Sequence, residues 1–337
     1  MTRGEEFYSR PAKMLDDARR GHKITPMAVL TLNWDEFPPP AFVGGCVTIG
    51  NFDGVHRGHA ALVGTAKLLA DRVGGPAVAV TFDPPPVALL NPAAWKLPLS
   101  TAADRVDALI AAGADHVVFL KATASLLALS AEAFFEDVLV RQLGVKAMVE
   151  GYNFHFGRGR GGNTATLRAM CLAAGIAFAE VPPLLADGEP ISSSRVRSAV
   201  NAGDVAAAAD LLGRPYRLAG DVVTGARRGR TIGFPTANLA NVETLPPAVG
   251  VYAVRATVDG RTYPAAANLG PNPTFGEEAR KVEIHLLDFA GDLYGKRMVV
   301  EFAARLRETK PFATVAELTQ QLRRDVAAVR ELLNRSG

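Results

Sequence analysis

From Cys46 onward the apolar residues follow two alternating rhythms. Short apolar runs at Cys46–Ile49, Ala77–Phe82, His116–Leu120, 147–149 and Ala177–Val181 have the length and branched content of buried strands. Between them lie stretches with helical spacing. Leu62, Ala66, Leu69 and Val73 recur every three or four residues, and further helices are expected over 104–112, 131–143 and 164–174. Repeated strand–helix units predict a parallel sheet with helices on both faces.

After Gly213-Arg214-Pro215 the pattern changes. Glycine and proline become frequent, and short alternating segments at 216–224, Gly250–Val258, 281–288 and 298–303 read as strands. Asp259-Gly260 is a hairpin-turn signal between two of them. This half is expected to be a small antiparallel barrel. One long helix should follow over 314–333, with Val315, Leu318, Leu322, Val326, Val329 and Leu333 on its apolar face. The domain boundary is expected between residues 205 and 216, giving a first domain over 27–212 and a second over 213–337. Residues 1–26, charged and poor in apolar side chains, form an extension to which no role is assigned.

Length and composition agree with two cores. The chain has 337 residues, 48% of them hydrophobic, too apolar a composition for disorder. A stretch without charge at 37–52 is broken by prolines and glycines, so no membrane span is expected. Thirty-seven Lys and Arg against 34 Asp and Glu leave a formal charge of +3, too little for a dedicated nucleic-acid surface. The Arg clusters that occur (Arg158 and Arg160; Arg227, Arg228 and Arg230) sit beside glycines, as suits a small ligand's phosphate. Cys46 and Cys171 are the only cysteines, so neither a disulfide framework nor a CxxC metal site is available. The expected compartment is the reducing cytoplasm.

The first chemistry-bearing segment runs from Gly50-Asn51-Phe52-Asp53-Gly54 to Val55-His56-Arg57-Gly58-His59, from a strand end into a helix start. Helix N-termini offer free N–H groups and the positive end of a dipole, where phosphate settles. His56 and His59, three apart, share one face of the first turn. Gly58 between them leaves the backbone open to a phosphate, and two imidazoles there could stabilise charge on a leaving pyrophosphate. A zinc site is not indicated, because no third ligand lies nearby. No Walker-type P-loop occurs, since Gly295-Lys296 is followed by Arg297.

This segment resembles the HxGH motif of the nucleotidyltransferase superfamily, and its FAD synthetase branch in particular. Gly151-Tyr152-Asn153-Phe154-His155-Phe156-Gly157 with Arg160-Gly161-Gly162 resembles that family's flavin- and nucleotide-side loop. Ile191-Ser192-Ser193-Ser194-Arg195-Val196-Arg197 resembles its ISSTxIR motif. The resemblance implies catalytic roles for His56, His59 and Arg197. It implies nucleotide contacts at Gly50, Asn51, Phe52, Asp53, Gly58, Ser192, Ser193 and Ser194, and flavin contacts at Phe82, Asn153, Phe154 and Phe156. Taken alone, the serine run is an ordinary helix N-cap. The chain departs from the family pattern at Pro85, where Phe-x-Pro-His-Pro has histidine, and at Glu150, His155 and Lys121-Ala122.

The second segment is the Gly-rich loop Gly229-Arg230-Thr231-Ile232-Gly233-Phe234-Pro235, running into Thr236-Ala237-Asn238. Thr236 and Asn238 are two apart, so on a strand their side-chain oxygens point the same way and could hold Mg²⁺ with a nucleotide phosphate. A bare Thr-x-Asn is equally an ordinary polar strand edge. In Val282-Glu283-Ile284-His285-Leu286, Glu283 and His285 share the polar face, and Glu283 could serve as base for a hydroxyl proton. A strand glutamate is more often simply the wet face, and His285 is read that way. Asn268-Leu269-Gly270 followed by Pro273-Thr274-Phe275 forms a second tight loop.

Together these segments resemble the riboflavin kinase module, including Gly291-Asp292-Leu293-Tyr294-Gly295 and a closing element at Arg305-Leu306-Arg307 and Lys310-Pro311-Phe312. That resemblance implies a catalytic Glu283, metal contacts at Thr236 and Asn238, and nucleotide contacts at Gly229, Arg230, Thr231, Gly233 and Pro235. The chain as a whole is similar to the prokaryotic bifunctional riboflavin kinase / FMN adenylyltransferase family. The implied fold is a Rossmann-like α/β nucleotidyltransferase domain, then a small antiparallel barrel with a C-terminal helix. The implied partners are riboflavin, FMN, ATP and Mg²⁺, with no nucleic acid and no membrane. Two rival readings are a kinase whose first half has decayed, motivated by Pro85 and Lys121-Ala122, and a non-catalytic flavin- or nucleotide-binding regulator. Intact His56, His59 and Arg197 speak against the first, and Glu283 kept with Thr236 and Asn238 against the second.

Overall fold

The computed structural model describes residues 28–225, 228–272 and 277–334. Residues 1–26, Arg227 and the loop Pro273-Thr274-Phe275 therefore lie outside the described residues, as does the side chain of Thr231. The chain divides into two compact units whose segments interleave along the sequence. One holds the residues up to Phe52 together with 59–95 and 106–183; the other holds 53–58, 96–105 and 184–337.

The first unit is built on β1 (Ala28–Leu32), β2 (Cys46–Ile49), β3 (Ala77–Phe82), β4 (His116–Leu120), β5 (Ala147–Gly151) and β8 (Ala177–Val181), with a small hairpin of β6 (His155–Phe156) and β7 (Gly162–Asn163). The six long strands form one parallel sheet in the order β1-β4-β3-β2-β5-β8. The apolar runs of the four inner strands β2, β3, β4 and β5 are buried on both sides, which is why they carry no polar alternation. Toward one face, Cys46, Ala77, Ala147 and Val149 pack with Ala66 and Ala70 of α1 (Arg57–Val73). Toward the other, Val47, Ile49, Val80 and Met148 pack with Phe134, Phe135, Leu139 and Leu167.

Further α-helices are α2 (Pro86–Leu90), α3 (Ala102–Ala111), whose first residues are counted with the second unit, α4 (Ala124–Ala128), α5 (Ala131–Ala133) and α6 (Thr164–Ala173). The α-helix expected over 131–143 is mostly a π-helix, Phe134–Gln142. Its wider turn buries two adjacent pairs at once, Phe134 with Phe135 and Val138 with Leu139.

In the second unit, a short hairpin of β9 (Leu185–Ala186) and β10 (Glu189–Pro190) precedes α7 (Ser193–Ala202) and α8 (Val205–Leu212). The closed barrel follows: β11 (Tyr216–Val223), a turn of helix α9 (Arg228–Thr231), β12 (Ala237–Ala240), β13 (Gly250–Val258), β14 (Arg261–Asn272), β15 (Glu277–Leu286) and β16 (Arg297–Arg307). The strand order is β11-β12-β15-β14-β13-β16, with β16 closing onto β11. Asp259 and Gly260 both have positive φ, 49° and 75°, as a tight two-residue hairpin requires, and they pair Val258 with Arg261.

Val196, Val200, Ala208 and Leu211 share one core with the barrel residues Leu218, Val254, Ile284 and Phe302. Two tyrosines complete that core without orphaning their hydroxyls: Tyr216 donates to Leu245 O and Tyr252 to Ala248 O, both at 2.7 Å. The chain ends in α10 (Val315–Asn334), which buries Val329 and Leu333 against Ala253 and Leu287. On the same helix Asp325 is buried as well, held by Arg307 at 2.7 Å and by Gln321 at 2.9 Å.

Candidate functional site

In a sheet of this order β2 lies between β3 and β5, where the strand succession reverses direction. Ligands in open parallel sheets bind beyond the carboxyl ends of the strands at that point. β2 and β5 pair only through Cys46–Ala147 and Val47–Met148 and then part. The buried Glu150 side chain takes up the slack by accepting a hydrogen bond from Ile49 N at 2.7 Å. Burial pushes the Glu150 carboxyl well above its ordinary pKa, partly opposed by the Ile49 N–H.

Gly50 continues from β2 with its N–H on Val80 O, and Asn51 O accepts from the Thr81 hydroxyl. Phe52, expected among nucleotide contacts, is buried, and its ring meets His59 edge-on at 5.1 Å. It braces the imidazole. Phe52 and Val55 carry φ of 46° and 41°, left-handed values unusual for such side chains and costly for a β-branched valine.

Within the second unit, residues 53–58 are gripped by side chains from later in the chain. Asp53 receives Leu99 N on Oδ1 at 2.7 Å and Arg197 Nη2 on Oδ2 at 2.9 Å, so both its oxygens are engaged. Arg197 also donates to Leu97 O. Ser193 Oγ donates to Asp53 O at 2.9 Å, while Ser192 caps α7 by accepting from Arg195 N. Ser194 is exposed at the same helix start. Arg214 donates to Gly54 O at 2.6 Å and Val55 O at 2.8 Å.

His56 is buried, and burial together with the nearby Arg214 lowers its pKa to about 4, leaving a neutral ring at pH 7. A Cβ at Gly58 would stand 3.1 Å from that ring, so the glycine makes room for the imidazole as well as for a ligand.

The residues expected to meet a flavin divide. Asn153 is exposed and Phe154 half-buried, whereas Phe156 belongs to the core. The two phenylalanine rings stack at 5.5 Å. Phe82, at the end of β3, packs partly against the same core.

On the barrel, register aligns the second constellation. Asn238 on β12 stands directly opposite Glu283 on β15, and Glu283 directly opposite Asn268 on β14. Directly opposed residues share a face with Cβ atoms about 5 Å apart. All three are half-buried, while their neighbours Ala237, Ile284 and Leu269 fill the core. Thr236 is exposed just before β12.

The loop around them is shaped by close approach. A Cβ at Gly225 would fall 2.1 Å from Asn238 Nδ2, and one at Gly229 would fall 2.2 Å from Phe234 O. Gly233 has a φ of 83°, and Arg230 is exposed. His285 donates from Nδ1 to Pro235 O at 2.8 Å and lies against Phe234, anchoring the loop.

In the sequence Arg214 stands out only as a boundary marker and Asn268 only as part of a turn, whereas Asn268 lies within β14. Nothing in a linear pattern links Arg214 to a loop 160 residues earlier. Asn268 could have been found by setting its strand beside Glu283.

An α/β sheet with HxGH at a helix start, followed by a closed barrel with a Gly-rich loop and a strand glutamate, defines a class: a nucleotidyltransferase fold joined to a kinase-type barrel. Comparison with known proteins agrees in both halves. Residues 40–195 match the FAD synthetase family and residues 212–333 the riboflavin kinase family. The bifunctional riboflavin kinase/FMN adenylyltransferase of Pseudomonas fluorescens is 40% identical, over 86% of this chain and 93% of that protein. The Bacillus subtilis protein of the same description is 35% identical, over 83% and 89%. Among solved structures, that of a Streptococcus pneumoniae protein described as a macrolide-efflux protein matches with a TM-score of 0.80 and 32% identity, over 89% of this chain and 98% of that one. The chain belongs to the bifunctional riboflavin kinase/FMN adenylyltransferase family.

Proposed function

We infer that this protein makes FAD from riboflavin in two steps. The barrel transfers the γ-phosphoryl group of ATP to the riboflavin 5′-hydroxyl, giving FMN and ADP. The α/β half then transfers AMP from a second ATP to the FMN phosphate, giving FAD and pyrophosphate. The observation that carries this reading is the presence of both family matches in one chain, with relatives aligned across both. We place the working boundary at 212/213, with 27–212 as adenylyltransferase and 213–337 as kinase.

In the barrel a neutral hydroxyl must become a nucleophile, so a base matters. Glu283 takes the proton while Asn238 and Thr236 face the phosphates. The donor set there is neutral oxygen. Among the described residues no cluster of three or more His, Cys, Asp or Glu side chains could cage a metal. Two such oxygens suit a Mg²⁺ that arrives on ATP and keeps most of its water and phosphate ligands. Bound so, Mg²⁺ would neutralise charge on the transferring phosphoryl group.

In the α/β half the FMN phosphate is already a nucleophile. His56, His59 and the α1 N-terminus therefore act by alignment and by stabilising charge on pyrophosphate, with Arg197 supporting the same loop. Asn153 and Phe154 face the flavin. No described helix is long and apolar enough to cross a membrane, and we place the enzyme in the cytoplasm, acting on small molecules and not on nucleic acid.

The test is chromatography of flavins after incubating the purified protein with riboflavin, ATP and Mg²⁺, and separately with FMN. Appearance of FMN and then FAD is the expected result. FMN without FAD in both incubations would reduce the protein to a kinase, and no conversion would make it a binding protein.

A further inference from the structure

Two side chains hold the three peptide carbonyls that lead into His56. Ser193 takes that of Asp53, and Arg214 alone takes the next two, Gly54 and Val55. Gly54, Val55 and His56 are all buried, so water is a poor substitute for the guanidinium. Val55 also carries a φ of 41° that a valine adopts only when its surroundings enforce it. Arg214 reaches the loop because α8 ends at Leu212 and Gly213 turns the chain through a left-handed cap, φ 76°. Its guanidinium further contacts Leu212 O at 3.4 Å, at the negative end of that helix.

We propose that Arg214 is a positioning residue for adenylyl transfer: by clamping the Gly54 and Val55 carbonyls it fixes the strained turn that aims His56. Arg214 lies inside the stretch matching the riboflavin kinase family, not the stretch matching FAD synthetase. A residue of the kinase half of the sequence therefore completes the loop of the other activity. The proposal rests on the two-activity reading above for its kinetic consequence but not for its geometric one.

The experiment uses the full chain with Arg214→Ala and Arg214→Lys. Each is assayed for FAD formation from FMN and for FMN formation from riboflavin, beside a proton-NMR titration of His56 assigned with His56→Asn. In Arg214→Ala, kcat for FAD formation should fall about 100-fold, the loss expected for a misplaced group. KM for FMN and the rate of FMN formation should stay within about twofold of the parent, because the clamp consists of the Gly54, Val55 and Leu212 carbonyls and includes none of the residues assigned to a flavin. Lysine, which supplies one donor head without the fork, should recover part of the loss. The His56 midpoint should rise from about 4 toward its ordinary value.

FAD formation unchanged in Arg214→Ala, or both activities falling together in both variants, would overturn the proposal. So would an unmoved His56 midpoint. If the parent makes no FAD while the midpoint still moves, the positioning role stands and the adenylyl-transfer reading falls.

Discussion

Asp53 and Arg197 form an ion pair at 2.9 Å across 144 residues of sequence, and the other carboxylate oxygen of Asp53 accepts from Leu99 N. The two side chains are only 22% and 16% exposed, so the pair is screened less than a surface one. It ties the HxGH loop to α7. We expect Asp53→Asn to lower FAD formation about tenfold and stability by about 1–3 kcal/mol, since it strands a part-buried guanidinium. FMN formation should hold within about twofold, because neither Asp53 nor Arg197 belongs to the barrel's polar row of Asn238, Glu283 and Asn268. Parallel assays and denaturant melts decide this, and undiminished FAD formation would make the pair incidental to the reaction.

The two chemistries should separate by mutation. His59→Ala is expected to cut FAD formation by about 10²–10³-fold, as for loss of one charge-stabilising donor, while FMN still accumulates from riboflavin. Glu283→Gln should do the converse, lowering FMN formation by about 10²–10⁴-fold while added FMN is still converted. Chromatography of the flavins reads both at once. FMN formation persisting in Glu283→Gln would remove the base assignment.

Gly225 offers a stricter test of the barrel. Its missing side chain is what lets Asn238 lie against the backbone, since a Cβ there would stand 2.1 Å from Asn238 Nδ2. In Gly225→Ala the asparagine must swing away, so FMN formation should drop by about tenfold or more. Conversion of supplied FMN to FAD should persist. Kinase activity equal to the parent would show that Asn238 can be displaced without cost, against a role at the phosphates.

How legible this was depended on distance along the chain. Strands such as Ala77–Phe82, His116–Leu120 and Ala177–Val181 were set by local apolar runs and occur at the expected residues. β14 has only a weak strand signal, because of Pro264 and three consecutive alanines, although Pro264 sits in register opposite Arg255. β12 is only four residues long and is held by its neighbours. At the sites, the histidine pair and the Thr-x-Asn could be read because each is local. The braces Arg197–Asp53 and Arg214–Gly54, and the row Asn238–Glu283–Asn268, exist only once separate segments are brought together. Phe52 and Phe156 belong to the motifs and are also packed in the interior, which burial alone reveals.

Glu150 yields a prediction about stability. Its side chain is 1% exposed, fills the gap where β2 and β5 part, and accepts from Ile49 N at 2.7 Å. Burial raises its pKa well above the ordinary carboxylate value, and the single backbone donor only partly opposes this. The sign follows from linkage. Above the unfolded pKa, folding must take up a proton, so the folded state loses stability as pH rises toward the folded pKa. Within that window the loss runs at about 1.4 kcal/mol per pH unit. Gln at this position keeps the carbonyl acceptor for Ile49 N and cannot ionise. Glu150→Gln should therefore be close to the parent near pH 4–5 and progressively more stable than it as pH rises toward the folded pKa. Denaturant unfolding of both proteins across that range measures the difference directly. A gap that stays constant with pH would mean that Glu150 titrates normally, and that the carboxylate between the strands is solvated after all.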